Sequence, residues 1–530
     1  MKKWIQYTLM GSFCIAAVSC SDQEAMNVDP NVASNVPSNM IMNAAEKWTM
    51  DYIYDNWFSA RQCLVYSQQW SQRNYTEEDR YQVREPQNNS YFKYLYMGLN
   101  NFQKVISMNQ NKATKNACSA YGANCNQIAA AMIMKVWLAN LMTDTWGGIP
   151  YSEALRLESD NVFYAKYDDQ KDLYAQLIKE VTEAVNMIDE SQPAFTGGDV
   201  IFNGDASKWK KFGNSLKCRL AIHMSKVDSN WKTYIQEALA SGVMKSNDDA
   251  AKFKYSETGT EYCKFYEGFF VNNRNDFAIN KTLADLLKGQ RDTLNAKSHP
   301  WEGVIDPRIH IYTVDDGRWN GMAVATQTGI QSRLFTQDGV ASWYNNQPPV
   351  LAKNYAVPLM TYAELKFIVG EYNGYSESDY KEGVQASIDY WYNVMGETPD
   401  PKEVAAYVEA ACKNVNAETY AIQKYIDLYT NGTEAWTEIR RTGYPEQIVR
   451  PGEICAVYET SGGKVPYMFS PLSEVKGDII SRVKYPSDES TLNSESWKAA
   501  VAKLQDGTNN YYSKMFWDVR TSSYDHPANK

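Results

Sequence analysis

The sequence predicts a mostly α-helical protein, and three observations lead there. Apolar residues recur at three- and four-residue steps over long stretches. Short connections bearing Gly, Asn and Pro separate these stretches, as in helical hairpins. Between and after the helical blocks the texture changes to loop-rich segments. The chain has 530 residues, of which 44% are apolar, enough to bury a substantial core.

Taken in order, residues 1–19 read as a cleaved export signal of a lipoprotein. Lys2 and Lys3 open it, Trp4 to Val18 is short and mostly apolar, and Ala16 to Ser19 form a small-residue run. The apolar part falls short of the ~20 residues that a membrane span needs. Cys20 after a small residue resembles a bacterial lipobox, in which the thiol is lipidated, although Ala17 stands where Leu is usual. Residues 20–40, with Ser21, Asp22 and Glu24, read as lipid anchor and flexible tether.

Residues 41–530 read as one domain. A helical scaffold is expected over about 41–257 and 360–442, a loop-rich region over about 258–359, and a loop-rich C-terminal part over 443–530. Within the first block, Cys125 to Met142 is apolar nearly all round, which predicts a helix buried on several sides. From Asp172 to Asp189, Leu173, Leu177, Val181, Ala184, Val185 and Ile188 form an amphipathic stripe. Trp209, Phe212, Leu216, Leu220 and Met224 share one helix face, with Ser207 as expected N-cap. The central region holds Asp306, Pro307, Gly317, Gly339 and Pro348, with Ile309 to Tyr312 alternating as in a short strand. The second helical block carries Phe367, Val384, Ile388, Trp391, Tyr407, Ile422 and Ile426 in separate runs. These runs are compatible with tetratricopeptide-like hairpins, although no repeat is detectable.

Several classes of function are disfavoured. Lys and Arg number 53 against 63 Asp and Glu, for a net charge of −10 and a pI near 5.2, unlike a nucleic-acid protein. Four His leave little room for imidazole catalysis or a multi-His metal site. His223, His299, His310 and His526 read as structural or solvated, and no metal site or cofactor is predicted. The nucleophile elbow, phosphate loop, dinucleotide loop and zincin motif are all missing. Acid pairs such as Asp315 and Asp316, Asp248 and Asp249, or Glu77 and Glu78 read as polar turns rather than glycosidase carboxylates. Beyond the signal and Cys20 there are seven scattered cysteines, which imply no disulfide framework, although Cys118 and Cys125 could bridge.

Motif strings then narrow the reading. Trp436, Arg440, Arg441, Thr442, Gly443, Tyr444 and Pro445 closely resemble the C-terminal signature of the SusD/RagB family of Bacteroidetes outer-membrane nutrient-binding lipoproteins. Other segments agree in the family's order. They are Asp144 to Ser152, Tyr167 to Gln170, Gly204 and Asp205 through Trp209 to Leu216, Asp306 to Arg308, Met360 to Phe367, and Arg482 to Pro486 with Asn493. The same strings read as scaffold: Arg440 and Arg441 before Gly443 and Pro445 make a plain helix end.

The resemblance implies a SusD-like fold of tetratricopeptide-like helical pairs below a loop-rich ligand face. It also implies a non-enzymatic, surface-exposed outer-membrane lipoprotein that acts as the lid of a SusC-like TonB-dependent β-barrel importer and captures oligosaccharides. Peptide capture in the same role is one alternative. A lipid-anchored glycoside hydrolase and a structural surface protein are others. A sugar-binding lid would stack ligand C–H faces on flat rings, with amide and guanidinium donors fixing hydroxyls. The chain has 38 Tyr, 15 Trp and 17 Phe, and those on helix stripes, such as Trp137, Trp209 and Trp391, are expected in the core. The ligand candidates are therefore Trp70, Arg73, Asn74, Tyr75 and Tyr81 in an N-terminal loop. Trp301, Trp319, Asn320, Trp343 and Tyr344 join them from the central region.

Overall fold

A computed structural model describes residues 36–156, 160–324 and 326–521; Cys20 and the export signal lie outside these described residues. Helix α1 (Ser38–Ile53) begins inside the segment read as tether, because Ser38 and Asn39 are already buried. Ser38 donates to Gln127 at 2.6 Å, which fastens the start of α1 to the neighbouring helix pair.

Helices α2 (Glu85–Gln110), α3 (Asn124–Trp146), α4 (Gln170–Asn186), α5 (Ala206–His223) and α6 (Trp231–Ser241) follow. Each packs on the next, and α1 packs on α2. The all-round apolar character of α3 has the expected result: it is buried from Val136 to Trp146. Asp205 rather than Ser207 caps α5, accepting the Lys208 N–H at 3.1 Å. The reason is register, since the helix already begins at Ala206.

The second block holds α9 (Tyr362–Tyr372), α10 (Glu377–Met395), α11 (Pro401–Ala411), α12 (Ala417–Asp427) and α13 (Gly432–Thr442). Between the blocks lie α7 (Lys281–Leu287) and α8 (Thr328–Gln337). Helix α9 pairs with α10, lies against α5, and so joins the two blocks. Three two-stranded antiparallel sheets complete the fold: β1 (Trp70–Gln72) with β3 (Phe277–Ile279), β2 (Ala251–Lys254) with β4 (Ala356–Met360), and β5 (Ile454–Thr460) with β6 (Gly463–Met468). Ile309–Tyr312 is a helical turn and not a strand. Asp306 accepts the Arg308 N–H and Pro307 accepts the His310 N–H, so this sequence turns instead of extending. No helix among the described residues is long and apolar enough to cross a membrane, and all seven described cysteines, Cys118 and Cys125 included, are free.

The motif strings contribute Glu364, Glu438, Arg440 and Arg441 to a buried ionic frame. Arg219 grips Glu364 at 2.6 and 2.7 Å, Lys424 lies 3.2 Å from Glu438, and Arg441 bridges Glu371 and Glu438. His223 reaches Glu434 at 2.9 Å. Arg440 lies over the Trp436 ring at 3.5 Å and donates to the Asp144 and Ser481 carbonyls. Gly443, at φ +83°, then ends α13. Arg308 and Asp306 form a second, wholly buried pair at 2.6 Å, with Ser387 and Gln423 taking the remaining guanidinium donors. His223, Glu434 and Glu438 place ligand atoms within 4.8 Å of one another. The surrounding Arg219, Lys424 and Arg441 already supply their counter-charge.

Candidate ligand-binding face

The site is built where the N-terminal loop meets the central region. Strand β1 pairs with β3 in the register Trp70 to Ile279 and Gln72 to Phe277, and the Arg73 N–H continues the ladder onto the Asp276 carbonyl. Just before β3, a helical turn at Lys264–Tyr266 runs into a π-helical turn at Glu267–Val271. Helical spacing sorts the aromatic residues of this segment onto two sides. Phe265 and Phe269 turn inward against Trp70, at 4.9 and 6.3 Å between centroids. Tyr262, Tyr266 and Phe270, four residues apart, form an outer row at 5.4 and 5.2 Å. Tyr344 extends that row, its ring stacked on Phe270 at 6.0 Å and 22°.

The row is held in place from below. A Cβ at Gly268 would fall 1.9 Å from the Asn56 side-chain amide, so only glycine lets this turn sit on the Asn56 loop. That loop carries Trp57, whose ring lies 4.7 Å from the Arg61 guanidinium and 5.9 Å from that of Arg274. Asp55 organises the loop by accepting the Trp57 and Phe58 N–H groups, at 3.0 and 2.6 Å. Burial pushes the Asp55 carboxyl up to about 7, against the lowering effect of its Tyr91 hydrogen bond.

The structure divides the sequence-predicted residues. Trp70, Trp301 and Trp343 are core tryptophans, donating to the Tyr429 hydroxyl, the Leu286 carbonyl and the Thr313 hydroxyl. Tyr81 is likewise buried, packed on Tyr66 and Phe469. A ring must face solvent to stack on a ligand, so these four leave the candidate set. Loop sequence around them hid their inward orientation. Tyr344 and Tyr75 are 40% and 51% exposed. Arg73 lies over the Phe335 ring at 4.6 Å, and Asn74 beside it is half-buried. Trp319 is half-buried on the neighbouring turn, where its indole N–H donates to Asp315 at 3.1 Å. Asn320 is committed to the Asp338 carbonyl at 2.5 Å.

Sequence reasoning missed Trp57, Tyr262, Tyr266 and Phe270. The four-residue ring spacing at 262, 266 and 270 was a readable signal, hidden by the loop-like residues around it. A concavity of about 610 Å³ lies elsewhere, between α2 and the C-terminal part, lined among others by Phe92, Tyr96, Met97, Leu155, Phe163 and Leu492. It holds none of the predicted residues.

Comparison with known proteins adds to this geometry. A family model, SusD-like, described as starch-binding and associating with the outer membrane, matches residues 30–456. A solved SusD homologue from Parabacteroides distasonis superposes with a TM-score of 0.72 at 21% identity, covering 91% of this chain and 98% of its own. A chitin-binding SusD homologue from Flavobacterium johnsoniae gives 0.67 at 20% identity, over 91% and 98%. A further chitin-binding protein gives 0.68 at 23% identity, over 90% and 100%. No curated protein sequence matches the chain.

Proposed function

The chain belongs to the SusD-like family of starch-binding, outer-membrane-associated proteins, and on that premise we propose that it captures oligosaccharides on the row Tyr262, Tyr266, Phe270 and Tyr344. That row is the observation that carries the reading. Sugar rings present apolar C–H faces, and flat aromatic rings in series offer matching surfaces at little conformational cost. The exposed amides of Asn272 and Asn273 and the guanidiniums of Arg73 and Arg274 supply donors for hydroxyls beside the row. Trp57 joins the site through Arg274, and Asn74, Tyr75 and Trp319 remain as further candidates.

The family binds glycans and does not transform them, and the proposed site needs no catalytic group. The protein serves, in this reading, as the lipid-anchored lid of a SusC-like TonB-dependent β-barrel on the cell surface. Cys20 is the anchor, and the bound oligosaccharide passes to the barrel for uptake. Two of the structural neighbours bind chitin, which supports a glycan as the ligand class.

Calorimetry of the mature chain against a glycan panel tests this. Tyr266→Ala and Tyr344→Ala should each weaken the best ligand about tenfold and leave the melting temperature nearly unchanged. Wild-type affinity in both variants would remove the row as the site. Absence of binding to any glycan would remove the ligand class. Cys20→Ala should move the protein from the membrane fraction to the soluble one, and affinity purification of the wild type should retain a large β-barrel.

A further inference from the structure

We infer that the oligosaccharide taken up by this face is acidic, carrying carboxylate or sulfate groups; the inference rests on the glycan-binding reading above. Three cations of this region rest on rings, and one of them, Lys353, lies on the row itself. Lys353 lies 5.3 Å from the Tyr266 ring, Arg274 lies 5.9 Å from Trp57, and Arg73 lies 4.6 Å from Phe335. Among the described residues, none of the three has a carboxylate oxygen within ion-pair distance. Contacts make them continuous with one another. Tyr266 touches Phe270, Phe270 touches Tyr344, and Tyr344 donates to Asn273 at 2.9 Å, next to Arg274. The Arg73 backbone N–H reaches the Asp276 carbonyl, two residues from Arg274, while its guanidinium lies over Phe335.

Several acids of this face already hold partners of their own. Asp276 and Glu78 hold Arg61, Glu267 holds Lys264, and Asp51 and Glu261 hold Lys47. Glu257 accepts from Asn354. A ring below a cation leaves the outer side of that cation turned to solvent, where a ligand anion can replace water. Guanidiniums suit this role because their forked donors meet a carboxylate or sulfate in two parallel bonds. A positive border of this kind also discriminates against ligands that carry no charge to place there.

Polygalacturonate oligosaccharides and their methyl esters share one backbone and differ in charge, so the pair isolates this point. Titrated into the mature chain, the acid form should bind at least about tenfold more tightly than the ester, and should weaken as salt rises. Arg274→Gln and Lys353→Gln should each remove most of that preference, with Lys381→Gln, an exposed position of α10, as the neutral control and melting curves reporting the fold. Heparin oligosaccharides test the sulfate arm. Binding of heparin or polygalacturonate with that salt and variant dependence supports the inference. Equal affinity for acid and ester, or binding of neutral panel glycans alone, overturns it while leaving glycan capture standing. Polyglutamate binding as tightly as the best acidic glycan overturns the glycan part of the claim. Failure of every glycan, charged or neutral, would take down both readings.

Discussion

Charged side chains are arranged differently around α13 and around the Tyr266 row. In the scaffold, Arg219, His223, Lys424 and Arg441 are buried and each faces a named carboxylate at short range. On the candidate face, Lys353, Arg274 and Arg73 rest on rings without a facing carboxylate, Lys353 and Arg274 being exposed. A buried ion is costly in low dielectric unless it is paired, so the scaffold has fixed its charges in closed sets. An exposed cation carries little such cost and remains available to a ligand. The family signature lies in the first region, which explains why it identifies the fold without marking the binding surface.

The contrast can be broken most strongly at Arg308. Replacing it by Met leaves the buried Asp306 carboxylate without its partner and should lower the unfolding free energy by about 3–5 kcal/mol, read by urea titration. A loss below about 1 kcal/mol, within the range of exposed pairs, would show that the buried pair behaves like a surface one.

A smaller effect is expected from pH. Burial alone would push the His223 imidazole down, but Glu434 and Asp144 outweigh it and hold the group at about 9, above its ordinary 6.5. A group whose pKa is raised on folding contributes stability that is complete below the unfolded value. Unfolding free energy should therefore fall as pH rises from about 6.5 through about 9. His223→Gln should be less stable at pH 6 and should lack that slope; an identical slope in the variant would refute the imidazolium.

The smallest effect sharpens the comparison from the other side, at an acid of the scaffold that lacks a cation. Burial, and then the neighbouring Asp199 carboxylate, push the Glu46 carboxyl well above its ordinary value. Its contribution to stability is present at acid pH and lost as pH rises above the unfolded value. Glu46→Gln keeps an acceptor for the Val200 N–H, now 2.8 Å from the carboxylate. It should leave the melting temperature at pH 8 unchanged or raised. A clear drop there would mean that the ionised carboxylate is the stabilising form.

Much of this was legible in the sequence, for reasons that differ by region. The stripes over α4 and α5 were readable because an amphipathic helix repeats its apolar positions within a few residues. The strings around Trp436, Asp306 and Asp144 were readable as scaffold, and their burial in ion pairs now gives the reason. Of the ring candidates, Trp343 and Tyr344 show the limit most sharply. They are neighbours in one loop, yet Trp343 fills the core against Trp70 while Tyr344 stacks outside on Phe270. Local composition cannot separate two such residues, because their orientation depends on a turn more than sixty residues away.

The amino-acid sequence by itself determined the helical scaffold and the family, since periodicity and motif order are local in the chain. Tertiary structure alone decided which rings face inward, which lie in the outer row, and which cations stand without acids. Those properties belong to contacts between β1, the turn at 264–271 and the loop at 343–353, and they exist only once β1 has paired with β3.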